Sequence, residues 1–103
     1  MKEHTCCQPT ATRKTLRDDK AKTKLINRLA RIEGQIRGIR KMIEEDAYCT
    51  DVLTQSAAAG AALASFNREL LDAHLHGCVA RDLRAGEDSS LEELLPILQK
   101  LIK

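Results

Sequence analysis

Residues 24–49 read KLINRLARIEGQIRGIRKMIEEDAYC. Leu25, Leu29, Ile32, Ile36, Ile39 and Ile43 follow one another there at spacings of 4, 3, 4, 3 and 4. A strand alternates every second residue, so this seam predicts an α-helix. Gly34 and Gly38 lie inside it, although each costs a helix roughly 1 kcal/mol against alanine. Neither serves a turn, so a close approach to the backbone is expected there. "EEDAY" (44–48) predicts the end of this helix and a short connection.

Outward from that stretch the chain continues as helix. A second, Ala-rich helix is expected from about Thr50 to Gly77, with Gly60 its only glycine before the end. A third follows "AGEDSS" (85–90), where Ser90 and Glu93 fit a capping box ahead of Leu91, Leu94, Leu95, Leu98 and Leu101. Pro96 is expected to break or kink that helix unless it starts later. Residues 1–18 are polar, carry Pro9 and show no apolar period, which predicts a flexible tail ahead of a helical domain over residues 19–103. No internal repeat or low-complexity tract interrupts the pattern. The fold class is all-α, a protomer of three helices.

At 103 residues with Tyr48 and Phe66 as its only aromatics, the chain builds a modest core from Leu, Ile and Ala, and a second copy is a natural source of further burial. No run of about 18 apolar residues predicts a membrane span. The start, "MKEHTCCQPTATRK", lacks the apolar stretch of an export signal, so a cytoplasmic protein with reduced thiols is expected.

The net charge of +2 conceals an asymmetry. Residues 13–41 hold eleven Lys/Arg against three acids, and residues 42–103 hold five against eleven. A basic segment beside an acidic one is a footprint of nucleic-acid contact, although cations also simply solvate a helix face. Lys24, Arg28 and Arg31 form one basic row by helical spacing, and Arg37, Arg40 and Lys41 a second cluster. Three to six phosphate contacts from such rows give salt-sensitive binding. No zinc-finger, homeodomain, basic-zipper or helix-turn-helix spacing is present.

"HLHGC" (74–78) holds two of the three histidines. His74 and Cys78 are four apart and share a helix face, whereas His76 points elsewhere. Cys49, Leu53, Ser56, Gly60, Leu63, Asn67, Leu71, His74 and Cys78 run at gaps of 3 or 4, so Cys49 shares their seam. Twenty-five residues of straight helix separate Cys49 from His74, about 37 Å, too far for one ion. Two antiparallel copies resolve this. With a two-fold axis between Leu63 and Ala64, Cys49 faces the other copy's Cys78, with His74 one turn away, and Ser56, Gly60 and Ala64 let the helices approach closely. A dimeric four-helix core with two inter-subunit sites results. A cysteine on such a seam also serves as a small core hydrophobe, and a histidine at a helix end as a cap. Two thiolates and an imidazole are a soft set suited to Cu(I). Zn(II) needs a fourth ligand, such as water or His4, Cys6 or Cys7 of the tail.

"RLARIEGQIRGIRKMIEEDAYCTDVLTQ" (28–55) followed by "LLDAHLHGCV" (70–79) resembles the CsoR/RcnR family of metal-responsive transcriptional repressors, in its copper-sensing branch. The likeness covers roughly residues 20–103. It implies a dimer of dimers that binds operator DNA without metal and releases it on copper loading, derepressing copper efflux or tolerance genes. It also implies Cys49 of one subunit with His74 and Cys78 of the other as copper ligands, and Tyr48 and Glu93 as groups linked to the ligand histidine. Glu93 has the capping box as a competing, structural task. "SAAAGAALASF" (56–66) lacks the basic residue that several members carry there, which shifts DNA contact to Arg28, Arg31, Arg37 and Arg40. Nickel- and cobalt-sensing members use an N-terminal histidine and have His where this chain has Cys78. Persulfide-sensing relatives, which would use Cys49 and Cys78, lack the ligand histidine. No paired carboxylates in a cleft, activated nucleophile or phosphate-cradling loop points to an enzyme.

Overall fold

The computed structural model describes residues 16–101. Every regular element among them is helical: α1 (Asp19–Glu44), α2 (Cys49–His74), a π-helical turn (Leu75–Val79), α3 (Ala80–Arg84) and α4 (Ser89–Leu101). No helix among them is long and apolar enough to cross a membrane. Most of the expected tail, with His4, Cys6 and Cys7, lies outside the described residues. Two compact units divide the chain, Arg17–Leu70 and the residues from Leu71 onward.

In the first unit, Asp18 caps α1 by accepting the Ala21 N–H at 2.8 Å. Asp19 in the first turn and Lys41 in the last complement the helix dipole. The helix stops where Asp46 enters the left-handed region at φ 57°. The Ala47 N–H reaches the Met42 carbonyl at 2.9 Å, and the Asp46 N–H reaches Ile43 at 3.1 Å. This is a Schellman closure, with aspartate at the position usually held by glycine. The chain then turns back, and α2 up to Leu70 runs antiparallel to α1. Arg28 bonds both Ser65 and Glu69 across the pair.

The six-residue apolar seam of α1 divides in two. Leu25, Ile32 and Ile39 are half-buried or buried, whereas Leu29, Ile36 and Ile43 are 41%, 56% and 61% exposed. Residues seven apart stay within about 20° of one another, while the two rows are offset by four residues, about 40°. The inner face is completed by Arg28, Gln35 and Met42, not by the outer isoleucines. On α2, Val52, Ala62 and Phe66 are half-buried and Ala59 is buried, whereas Leu53 and Leu63 stay exposed. Among the described residues the expected close approach to Gly34 and Gly38 does not occur. A Cβ on Gly34, Gly38 or Gly60 would find no neighbouring atom within 4 Å. Gly34 and Gly38 instead line an open groove with Arg31, Gln35, Met42 and Gln55.

In the second unit the helical path does not end at Gly77. It passes through the π turn and α3, and stops at Gly86, whose φ is 85°. The Glu87 N–H meets the Asp82 carbonyl at 2.8 Å and the Gly86 N–H meets Leu83 at 3.1 Å, a second Schellman closure. The Ser90–Glu93 capping box does not form. Ser90 lies inside the first turn of α4, is buried, and donates its hydroxyl to the Asp82 carboxylate. Pro96 sits within α4 without ending it. The missing N–H leaves only the carbonyl of Glu92 without its helical donor, and Glu92 is exposed to water. Among the described residues of this unit, Cys78, Val79, Ser90 and Leu94 are buried.

The two closures predict opposite responses. Gly86→Ala is expected to cost about 1 kcal/mol, all of it backbone strain, because no atom stands near the new methyl. Asp46→Gly is expected to be stabilising by up to about 1 kcal/mol, once the greater freedom of the unfolded glycine is offset. Ser90→Ala leaves the Asp82 carboxylate without its donor and is expected to cost about 1–2 kcal/mol. Urea denaturation at matched protein concentration reads all three.

Candidate metal centre

Cys49 and His74 are the first and last residues of α2. Tyr48 precedes the helix, and its carbonyl accepts the Asp51 and Val52 N–H groups at 3.0 and 3.1 Å, so Cys49 sits in a fixed first turn. Cys49 and Tyr48 are exposed, His74 is half-buried, and Cys78 keeps only 3% of its surface. Neither Cys49 nor Cys78 is in a disulfide. Among the described residues no three His, Cys, Asp or Glu side chains of the one chain converge as a metal site. The unbroken helix between Cys49 and His74 accounts for that separation.

Cys78 falls in the π turn, where the Ala80 N–H bonds the Leu75 carbonyl five residues back. Such a turn carries one residue more than an α-helical turn, which rotates all later residues by about 100° against the α-helical register. Cys78 and its neighbour Val79 are both buried, each 3% exposed. No periodicity in "HLHGC" announces this. His76 is exposed and leans back along its own helix: its Nδ1 donates to the Asp72 carbonyl at 2.9 Å and lies 3.3 Å from Asp72 Oδ1. His76 and His74 therefore occupy different environments. Glu93 is exposed on α4.

The basic residues of α1 separate into held and unheld. Arg28 Nε lies 2.8 Å from Glu69 Oε1, and Lys24 Nζ lies 3.6 Å from Glu69 Oε2. Arg40 makes an exposed pair with Glu44 at 3.4 Å, of the kind worth a few tenths of a kcal/mol. Arg31, Arg37 and Lys41 are exposed and form no ion pair with another described residue. Glu69 and Ser65 are residues that charge counting overlooked. The available signal was an acid on α2 placed opposite the basic row by antiparallel pairing.

This geometry has counterparts. Residues 21–100 match the family described as metal-sensitive transcriptional repressor. The chain is 43% identical over 88 residues to the copper-sensing transcriptional repressor CsoR of Bacillus subtilis, covering 84% of this chain and 87% of that protein. It is 48% identical over 79 residues to the copper-sensing transcriptional repressor RicR of Mycobacterium tuberculosis, covering 74% and 82%. The crystal structure of the copper-sensing repressor CsoR with Cu(I) from Geobacillus thermodenitrificans superposes with a TM-score of 0.81 at 39% identity, over 85% of this chain and 93% of that one. The nickel-responsive transcriptional regulator InrS superposes with a TM-score of 0.67 at 41% identity, over 78% and 91%. Sequence and all-helical fold agree: this chain belongs to the metal-sensitive transcriptional repressor family.

Proposed function

We propose that this protein is a Cu(I)-responsive transcriptional repressor, which holds operator DNA as the metal-free protein and releases it on copper loading. Residues 19–103 form the metal-sensing, DNA-binding domain, and residues 1–18 the tail that leads into it. The observation that carries the reading is the disposition of α2. Cys49 opens the helix and His74 closes it, with Cys78 four residues on, and Leu53, Ser56, Gly60 and Leu63 lie exposed along the seam between. Large apolar residues exposed along a helix call for a cover. A second copy in antiparallel register supplies it, and sets its Cys49 beside this chain's His74 and Cys78.

The donor set fits a soft ion. Bound there, Cu(I) would be held by two thiolates and one imidazole, a three-coordinate arrangement to its preference. The residues around the set have their own tasks. Tyr48 and Glu93 fix the far nitrogen of His74 and thereby its tautomer. The homo-oligomer is required, since the site is incomplete in one protomer. Lys24, Arg28, Arg31, Arg37, Arg40 and Lys41 face DNA phosphates, with Arg31, Arg37 and Lys41 the cations available without breaking an ion pair. A cytoplasmic location follows from a task performed on the chromosome. Persulfide sensing through Cys49 and Cys78 leaves His74 without a role. A zinc, nickel or cobalt set would draw on His4, Cys6 or Cys7, which lie outside the described residues.

Three outcomes are expected. X-ray absorption of the Cu(I)-loaded protein gives two sulfurs and one nitrogen, and Cys49→Ala loses one sulfur together with operator release. Mixing Cys49→Ala with His74→Ala subunits restores one copper per pair, whereas either variant alone holds none in the native mode. A ligand set within one chain would regain nothing on mixing. Arg31→Ala and Arg37→Ala each weaken operator binding and lower its salt slope by about one. An operator complex that survives one copper per subunit would defeat the reading.

A further inference from the structure

Glu69 meets two basic residues of α1 at once. Its Oε1 lies 2.8 Å from Arg28 Nε and its Oε2 lies 3.6 Å from Lys24 Nζ, one carboxylate oxygen for each cation. Arg28 also donates from Nη1 to Ser65 Oγ at 3.2 Å, so its guanidinium is held at two points. The Arg28 side chain is 30% exposed, against 69% for Lys24. Lys24, Arg28 and Arg31 share one stripe of α1 by spacings of four and three, yet only Arg31 of the three has no acid beside it among the described residues.

A carboxylate oxygen on the guanidinium Nε and another beside the lysine ammonium occupy places that DNA phosphate oxygens would take, with the same charge sign. Arg28 and Lys24 can neutralise phosphates only by leaving Glu69, or with its negative charge a few ångströms from the incoming phosphate. Either route removes binding that the sequence alone would credit to this stripe.

From this geometry we infer that Glu69 is an internal competitor for DNA phosphate, an autoinhibitory carboxylate that withholds Lys24 and Arg28 and limits the affinity of the metal-free protein. The inference rests on the proposed DNA-binding function. It goes further by assigning control of affinity to a residue that touches neither metal nor DNA. Removing the charge of Glu69 releases two cations per protomer to the interface.

The test uses the full-length, metal-free protein and a labelled 30-base-pair duplex of arbitrary sequence, with anisotropy titrations from 50 to 200 mM salt. Glu69→Gln keeps the shape and an acceptor for Arg28 while discarding the charge. It is expected to bind more tightly at 50 mM, with a log–log salt slope steeper by about 1.8 for each protomer that contacts the duplex, or 0.9 for each additional phosphate neutralised. Each contacting protomer then makes the affinity fall about twelvefold further than wild type across that range. In an Arg28→Gln background the same substitution steepens the slope by only about 0.9 for each contacting protomer, because Lys24 alone is released. Should Glu69→Gln lose helical circular dichroism, Glu69→Ala takes its place with the same expectation, alanine being the strongest helix former. Wild-type binding with an equal or weaker Glu69 variant of unchanged helicity and oligomeric state overturns the inference and leaves the DNA reading standing. If neither wild type nor variant binds the duplex at 50 mM, both fall together.

Discussion

A 26-residue helix is a rigid spacer, and α2 sets Cys49 and His74 at its two ends. Its hydrogen-bonded ladder fixes a rise of about 1.5 Å for each residue. Under the proposed function, donors at its two ends answer to one ion only through a neighbour. The same rod carries the inner face that packs on α1 and the outer face that carries Leu53 and Leu63. Under the proposed function, the spacing of the ligands and the need for a partner are one constraint.

The distribution of apolar surface is consistent with that constraint. Ile32 and Ala59 are the buried apolar residues of the α1–α2 unit, and Cys78, Val79 and Leu94 those of the second. Each unit buries little by itself, as expected for a chain of this size with almost no aromatics. Leu29, Ile36 and Ile43 on α1, and Leu53 and Leu63 on α2, remain exposed in rows. Rows of this kind cost solubility unless another surface covers them. The small residues between Leu53 and Leu63 leave room for a close helical neighbour, while Gly34 and Gly38 open a separate groove over α1.

Electrostatics refine the picture that charge counting suggests. The basic half of the chain is not uniformly available, because Glu69 and Ser65 hold Arg28 and Glu69 also draws Lys24. A partly exposed pair of this kind contributes modestly to stability, about 1 kcal/mol or less. Its larger consequence is for what the cations can do elsewhere. The thiols differ as well: Cys78, in the π turn, is buried, whereas Cys49 is exposed. The two thiols of the proposed site thus start from different surroundings, one open to a partner and one enclosed by its own chain.

The helical class was legible in residues 24–49, because a 3.6-residue period is a local property that no other backbone shares. The stop near Asp46 and the Ala-rich run of α2 were equally local, and so was the placing of Cys49, His74 and Cys78 at helix-compatible intervals. What the amino-acid order left open were matters of which neighbour a residue meets. Ser90 reads as a cap by its distance from Glu93, but its hydroxyl goes to Asp82, eight residues earlier. Gly77 reads as a stop, but the backbone passes it and ends at Gly86, where a positive φ is used. Leu29, Ile36 and Ile43 read as core together with Leu25, Ile32 and Ile39, and packing against a single helix admits only one of those rows. Arg28 reads as a free cation until α2 folds back and brings Glu69 alongside. Period and spacing are fixed by covalent order, whereas burial and pairing depend on which faces the tertiary structure brings together.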